Sequence, residues 1–127
     1  MKVEKQNNCV VEMKKRHQHY VDVAAAMADK KSDVACSKHG CVLVGDRGKI
    51  MRIKTNRCTR NFSAPRGSHG TYHAEERAVF SLPTHQRRRV RAVYVTRIPG
   101  NHCRSNPCER CQRALKHLPN ARVFYTV

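Results

Sequence analysis

A chain of 127 residues is long enough to bury one core and too short for two, so one domain spanning 1–127 with one site is expected. Its 39% hydrophobic and 28% charged residues are a globular mixture, and no apolar run approaches the ~20 residues of a membrane helix, which excludes a membrane partner of that kind. The 26 Lys and Arg against 9 Asp and Glu give a formal charge of +17, a field that attracts phosphates, nucleic acid or other polyanions.

The start, Met1 to Asn8, has a little positive charge but no apolar stretch or cleavage site behind it. Residues 1–10 therefore read as a flexible tail, and a cytosolic or nuclear location, not a secreted one, is the default. Seven cysteines, an odd number without a secretory signal, point to reduced thiols and metal ligands rather than to a disulfide framework.

From about Val10 to Lys31 good helix formers predominate, with Val11, Tyr20, Val23, Ala24 and Met27 able to share one face. The apolar run Cys41-Val42-Leu43-Val44, the turn signal Asp46-Arg47-Gly48 and the alternation from Lys49 to Ile53 predict two strands joined as a hairpin. Asn56 to Tyr72 collects Asn, Thr, Ser, Pro and Gly and reads as a long exposed loop. Ala74 to Leu82 is helical until Pro83 stops it, an arginine-rich connector follows, and Val90 to Thr96 reads as a buried strand. Pro107 suits the first turn of a helix carrying Cys108 through Leu118, and Ala121 to Val127 supplies a last strand. The alternation makes an α/β layer fold with no internal repeat.

The chemistry lies at two helix starts. His73-Ala74-Glu75 opens one helix and Pro107-Cys108-Glu109-Arg110-Cys111 the other, so their N-termini can converge on one metal. One imidazole and two thiolates on zinc leave the fourth tetrahedral position for water, as in a catalytic site. The two cysteines share a face of the first turn, where the helix dipole favours thiolate. A carboxylate two residues from the ligand His can take a proton from water and return it to a ring nitrogen, which makes Glu75 the catalytic candidate.

His-x-Glu followed by Pro-Cys-x-x-Cys is the signature of zinc nucleobase deaminases. The chain resembles the cytidine and deoxycytidylate deaminase superfamily in these residues. It does so also in Ser37 to Val44, which looks like the first strand of deoxycytidylate-type members, and in Ile50 through Asn56, which looks like their second strand and the asparagine-bearing loop after it. The resemblance runs from about Cys36 to Tyr125. It implies a three-layer α/β/α fold with a mixed sheet of about four to five strands, C-terminally short because a fifth strand and further helix of the family are missing. It implies one zinc held by His73, Cys108 and Cys111, catalysis by Glu75, and substrate binding by Asn56, with Ala74 beside them. The implied activity is hydrolytic deamination of a cytosine nucleotide, and the implied partners are that substrate and other copies of the chain.

Other readings of the same residues stand beside this one. Cys103 or His102 can be a fourth ligand that closes the zinc site into a structural one. Cys36, His39 and Cys41, with Cys58, can form a second site, although small cysteines are often buried as simple hydrophobes. The basic runs Lys14-Lys15-Arg16 and Arg87-Arg88-Arg89 with Arg91 can be solvated connectors. Arg57, Arg60, Arg66, Arg104, Arg110 and Arg113 flank the zinc motifs and favour a phosphate-bearing substrate or polyanionic partner. Rings are few near the pocket, namely Phe62, Tyr72 and Tyr125, which is sparse for a dedicated single-strand binder. The alternative functions are deamination of cytosine or adenine within RNA or DNA, and a catalytically silent, basic packaging role using an open sheet edge.

Overall fold

A computed structural model describes residues 2–5, 10–12, 15–32, 38–58, 71–98 and 108–126. In chain order these form β1 (Lys2–Lys5), β2 (Val10–Glu12), α1 (Lys15–Lys31), β3 (Lys38–Val44), a 3-10 turn (Asp46–Gly48), β4 (Ile50–Thr55), β5 (Arg57–Cys58), β6 (Thr71–Tyr72), α2 (Ala74–Ser81), α3 (Thr84–Arg87), β7 (Ala92–Ile98), α4 (Glu109–Leu115) and β8 (Arg122–Thr126).

Strands covered on both faces need apolar residues at consecutive positions, and β3 and β7 have them in Cys41 to Val44 and Val93 to Val95. They pair antiparallel at the centre of the sheet β2-β1-β8-β7-β3-β4. The β3–β4 hairpin forms as expected, reversing through Arg47 and Gly48 in left-handed backbone at φ 58° and 75°. The one parallel pair among the described residues, β7–β8, needs a crossover connection, and α4 is carried on it. Alternate side chains then sort to two faces. Cys41, Leu43, Val93, Val95 and Tyr125 pack with α2 and α4 residues such as Val79 and Leu115. Val42, Val44, Tyr94 and Phe124 pack with Val21 and Ala24 of α1. This is the expected three-layer α/β/α arrangement on a mixed sheet.

The N-terminal expectation needs correction. Residues read as a flexible tail supply β1, which pairs antiparallel along the outer edge of β8 through Val3↔Thr126, Glu4↔Tyr125 and Lys5↔Phe124, and β2 pairs outside it. The main sheet thus has six strands among the described residues, and the β8 edge expected to lie open is paired. Val10 and Val11, β-branched, join β2 rather than the helix, so α1 starts at Lys15. Its buried stripe is His17, Val21, Ala24 and Ala28, with Tyr20 and Val23 only partly buried at its margin. The side chain of Val11 lies outside the described residues.

Smaller shifts have local causes. Val90 is buried but precedes the strand, which runs to Ile98, and α4 gives way to a turn after Leu115 whose Leu118 N–H bonds the Leu115 carbonyl. The loop after Asn56 begins and ends as a short ribbon, β5 on β6, and residues 59–70 lie outside the described set. Among the described residues no helix is long and apolar enough to cross a membrane.

Small residues let α1 lie close on the sheet. A Cβ at Gly40 of β3 would collide with the Ala24 carbonyl of α1, an obstacle made of backbone. Gly40→Ala is therefore expected to cost about 3 kcal/mol, the upper end for overpacking, measured by urea unfolding of the zinc-loaded protein.

A buried polar pair sits under the same helix. His17 Nδ1 and the Tyr94 hydroxyl lie 2.6 Å apart, and burial, then Tyr20, pushes the Tyr94 pKa up to about 12, against an opposing pull from Arg16. Because the folded pKa is raised, this stabilisation is complete below pH ~10, the unfolded value, and is lost as pH rises through about 12. Unfolding free energy should fall over that window, and Tyr94→Phe should flatten the decline.

Candidate active site

Each helix that carries the motif begins just after a potential ligand. His73 precedes α2 with extended backbone, Cys108 precedes α4 in the same way, and neither side chain caps its own helix. Both are left to face the space between the packed helix starts, and Cys111 enters it from the first turn of α4. His73 Nδ1 lies 3.1 Å from Cys111 Sγ and 3.5 Å from Cys108 Sγ, and the three donor atoms fall within 4.8 Å of one another. Both sulfurs thus face the same ring nitrogen. Cys111 is buried, His73 half-buried and Cys108 exposed, so the cluster runs from the core to the surface.

Glu75 is 3% exposed, and its Oε1 has no hydrogen-bond partner among the described residues. Burial raises its pKa most strongly, while a hydrogen bond with Cys111 and the nearness of His73 work in the opposite direction. Burial also pushes the Cys111 thiol far up, and the Glu75 charge adds to this. Two thiols and a buried carboxylate around one imidazole are short of positive charge. A divalent cation that takes nitrogen and sulfur supplies it, so the residues present fit zinc.

Asn56 is buried at the end of β4. Its Oδ1 accepts from Ser32 Oγ at 2.7 Å and from the His39 N–H at 2.8 Å, and its own N–H donates to the His39 carbonyl at 3.1 Å. These bonds pin its amide against the start of β3. The His39 imidazole is held neutral, its pKa lowered to about 4 by burial, by Arg97 and by His73, so the Asn56 anchor lies within electrostatic reach of the candidate metal-ligand histidine. Ala74 is fully buried in the apolar core at the first position of α2.

Sequence reasoning passed over Arg77 and Ser32, which hold this frame, and gave His39 a different role, as a ligand of a second metal. Arg77 Nη1 donates to the Thr55 carbonyl and ties α2 to β4, while Ser32 and His39 fix Asn56. The only signal for Arg77 was its spacing, one helical turn from His73. Arg110, expected to favour phosphate, instead pairs with Glu76 across the helices at 2.8 Å, and Arg113 pairs with Glu109 at 3.0 Å. Arg57 is exposed. Tyr125 is buried in the core and Tyr72 is 53% exposed.

The second metal site finds no support in Cys41, whose fully buried thiol belongs to the apolar core. His73, Cys108 and Cys111 are the only group of potential metal ligands among the described residues. The side chains of Cys36, Cys58, Arg60, Phe62, Arg66, His102, Cys103 and Arg104 lie outside the described residues.

The zinc-binding region of cytidine and deoxycytidylate deaminases matches residues 14–127. The chain belongs to this family. As a family member it carries the zinc-binding region of a deaminase, a hydrolase, and the His/Cys/Cys group is the candidate zinc centre. No curated protein matches the deaminase chain in sequence. Among solved structures it is similar to a cytidine deaminase from Burkholderia pseudomallei at 23% identity, with 90% of this chain and 85% of that one covered and a TM-score of 0.64. Cytidine deaminases from Mycobacterium tuberculosis and Mycobacterium leprae are each 19% identical with TM-scores of 0.55, covering 84% and 80% of this chain and 82% and 81% of theirs. At these identities the likeness is one of fold.

Proposed function

We propose that this deaminase hydrolyses the amino group of a cytosine nucleotide with Glu75 as the proton carrier. The observation that carries the reading is the buried Glu75 Oε1, without a hydrogen-bond partner among the described residues, beside the three-donor cluster. Leaving a carboxylate oxygen buried and unpaired costs stability, and enzymes keep such groups where chemistry needs them. His73 Nδ1, Cys108 Sγ and Cys111 Sγ would hold zinc, which when bound lowers the pKa of water toward ~7.

The chain's own residues supply the rest. Glu75 accepts a proton from water at its buried carboxylate and passes it to the ring nitrogen, then takes the second proton from the hydroxyl now on the carbon and passes it to the departing amine. Overall, water adds at the amino-bearing carbon, the carbon–nitrogen bond breaks, and ammonia and a uracil ring are formed. Burial helps here, because it raises the carboxyl pKa toward the operating pH and so makes the protonated form a usable acid. Asn56, anchored by Ser32 and His39, positions the substrate, and Ala74, the first residue of α2, sits between His73 and Glu75 in the chain.

The resemblance of Ser37 to Val44 and of the Asn56 region supports a nucleotide over a nucleoside. The charge of +17 favours a second reading in which the base is part of RNA or DNA. Ammonia release from dCMP, cytidine, adenosine and a short single-stranded oligonucleotide separates them. A kcat/KM for dCMP at least about tenfold above cytidine is expected, equivalent to ~1.4 kcal/mol of phosphate recognition. Equal values would remove the nucleotide preference, oligonucleotide turnover alone would favour the second reading, and no ammonia from any would favour a basic structural role.

A further inference from the structure

The deaminase reading leaves most of the positive charge unused, and the best-placed part of it lies far from the zinc cluster. We propose that a cleft on the α1 face, at the other end of the central strands from His73, binds phosphate esters. The cleft has a volume of about 480 Å³ and is lined by Arg16 of α1, Arg91 just before β7, Arg122 at the start of β8, and the rings of His17, Tyr94 and Phe124. That volume suits a nucleotide-sized ligand.

The strand register separates the two sites. Val44 of β3 pairs with Ala92 of β7 at the cleft end, while His39, beside His73, pairs with Arg97 at the opposite end. The side chains differ in face as well: Tyr94 and Phe124 point into the α1 core, whereas Val95 and Tyr125 face α2 and α4.

Charge is unbalanced in this cleft. Arg91 Nε contacts Asp46 Oδ1 at 2.9 Å, but neither Arg16 nor Arg122 has a carboxylate partner among the described residues. The contrast is with Arg110 and Arg113 near the zinc cluster, both engaged by glutamates. The first turn of α1 contains no acid to offset Arg16. Three arginines from three parts of the chain line one cavity, and guanidinium matches phosphate oxygens in geometry as well as charge.

The floor adds a second preference. Tyr94 and Phe124 are stacked at 5.1 Å and 11°, with His17 4.7 Å from Phe124 and bonded to the Tyr94 hydroxyl. Arg16 lies close enough to lower the Tyr94 pKa against the effect of burial, so its charge reaches the aromatic floor. The arginines, with the small exposed part of these rings beside them (His17 5%, Tyr94 3%, Phe124 5%), suit a phosphate ester of a ring-bearing group, either a free nucleotide or a nucleic-acid strand, better than inorganic phosphate.

The test uses zinc-loaded wild-type protein with thymidine monophosphate and a labelled oligothymidylate, neither of which carries an amino group to lose. The double variant Arg16→Ala/Arg122→Ala is compared with Lys30→Ala/Lys31→Ala, which removes equal charge from exposed positions at the far end of α1. The cleft variant should weaken binding of one or both probes at least about tenfold relative to the lysine variant, and flatten the log K against log[salt] slope for the strand by about 1.4, at ~0.7 per lost phosphate contact. Loss for the mononucleotide identifies a free nucleotide as the ligand, and loss for the strand alone identifies nucleic acid. Equal weakening by the two variants, or none by the cleft variant, overturns the proposal. Zinc content and ammonia release by the cleft variant should match wild type, so failure here is separate from failure of the deaminase reading.

Discussion

Glu75→Gln is expected to reduce kcat for ammonia release by about 10³-fold or more, within the range for removal of a general acid–base, while the protein keeps its zinc. Glutamine has the shape of glutamate but cannot take the proton, so the loss reports chemistry and not packing. The same substitution should raise stability. In the folded protein the Glu75 carboxyl is buried, one oxygen lacks a partner among the described residues, and its pKa is raised chiefly by burial. A neutral amide avoids the cost of an unpaired buried charge, about 1–3 kcal/mol for such groups. A carboxylate that served only to brace the start of α2 would behave oppositely, with a lower melting temperature and little change in kcat. Thermal melts and steady-state rates on one preparation distinguish the two.

Cys111→Ala, the second large effect, should take zinc from near one per chain to near zero, abolish activity and lower the melting temperature. Cys111 is buried, its sulfur lies 3.1 Å from His73 Nδ1, and its thiol is forced toward the neutral form by burial and by Glu75 unless a cation is present. With free zinc at 100 times Kd, binding adds about 2.7 kcal/mol of stability. For a chain of this size that corresponds to a fall of roughly 10 °C on chelation. Zinc added back to chelated wild type should restore both melting temperature and activity, and zinc added to Cys111→Ala should restore neither. Cys41→Ala is the contrast, because Cys41 is an apolar-core residue on the same face. It should lower stability while leaving zinc content unchanged.

What could be read from the sequence followed how local its physical cause was. The apolar runs of β3 and β7, the turn at Arg47-Gly48 and the stop at Pro83 are decided within a few residues, and these elements formed as expected, with β7 shifted two residues along the chain. The motif was legible for the same reason. A three-residue cysteine spacing on one helical turn and a His-x-Glu at another helix start bring the donors together once α2 packs on α4.

Features decided across the chain were not legible. Nothing near Lys2–Lys5 marks it as a strand, because its partner β8 lies at the other end of the sequence. The buried stripe of α1 includes His17, which a hydropathy pattern assigns to solvent, and its place depends on Tyr94 77 residues away. Charge misled in a related way. Arg110 read as a free cation near the zinc motif, whereas Glu76 on the neighbouring helix neutralises it. Asn56 was singled out by resemblance, but nothing local marks Ser32 and His39 as the residues that hold its amide.

The central claim is that zinc at His73, Cys108 and Cys111 is what makes this chain a deaminase. The most direct test removes zinc by chelation, restores it in substoichiometric steps, and follows ammonia release from dCMP and cytidine against bound zinc. Release that rises in proportion to zinc and levels off near one ion per chain is the predicted result. Release that is independent of zinc, or full zinc occupancy with no ammonia from either substrate, would contradict it.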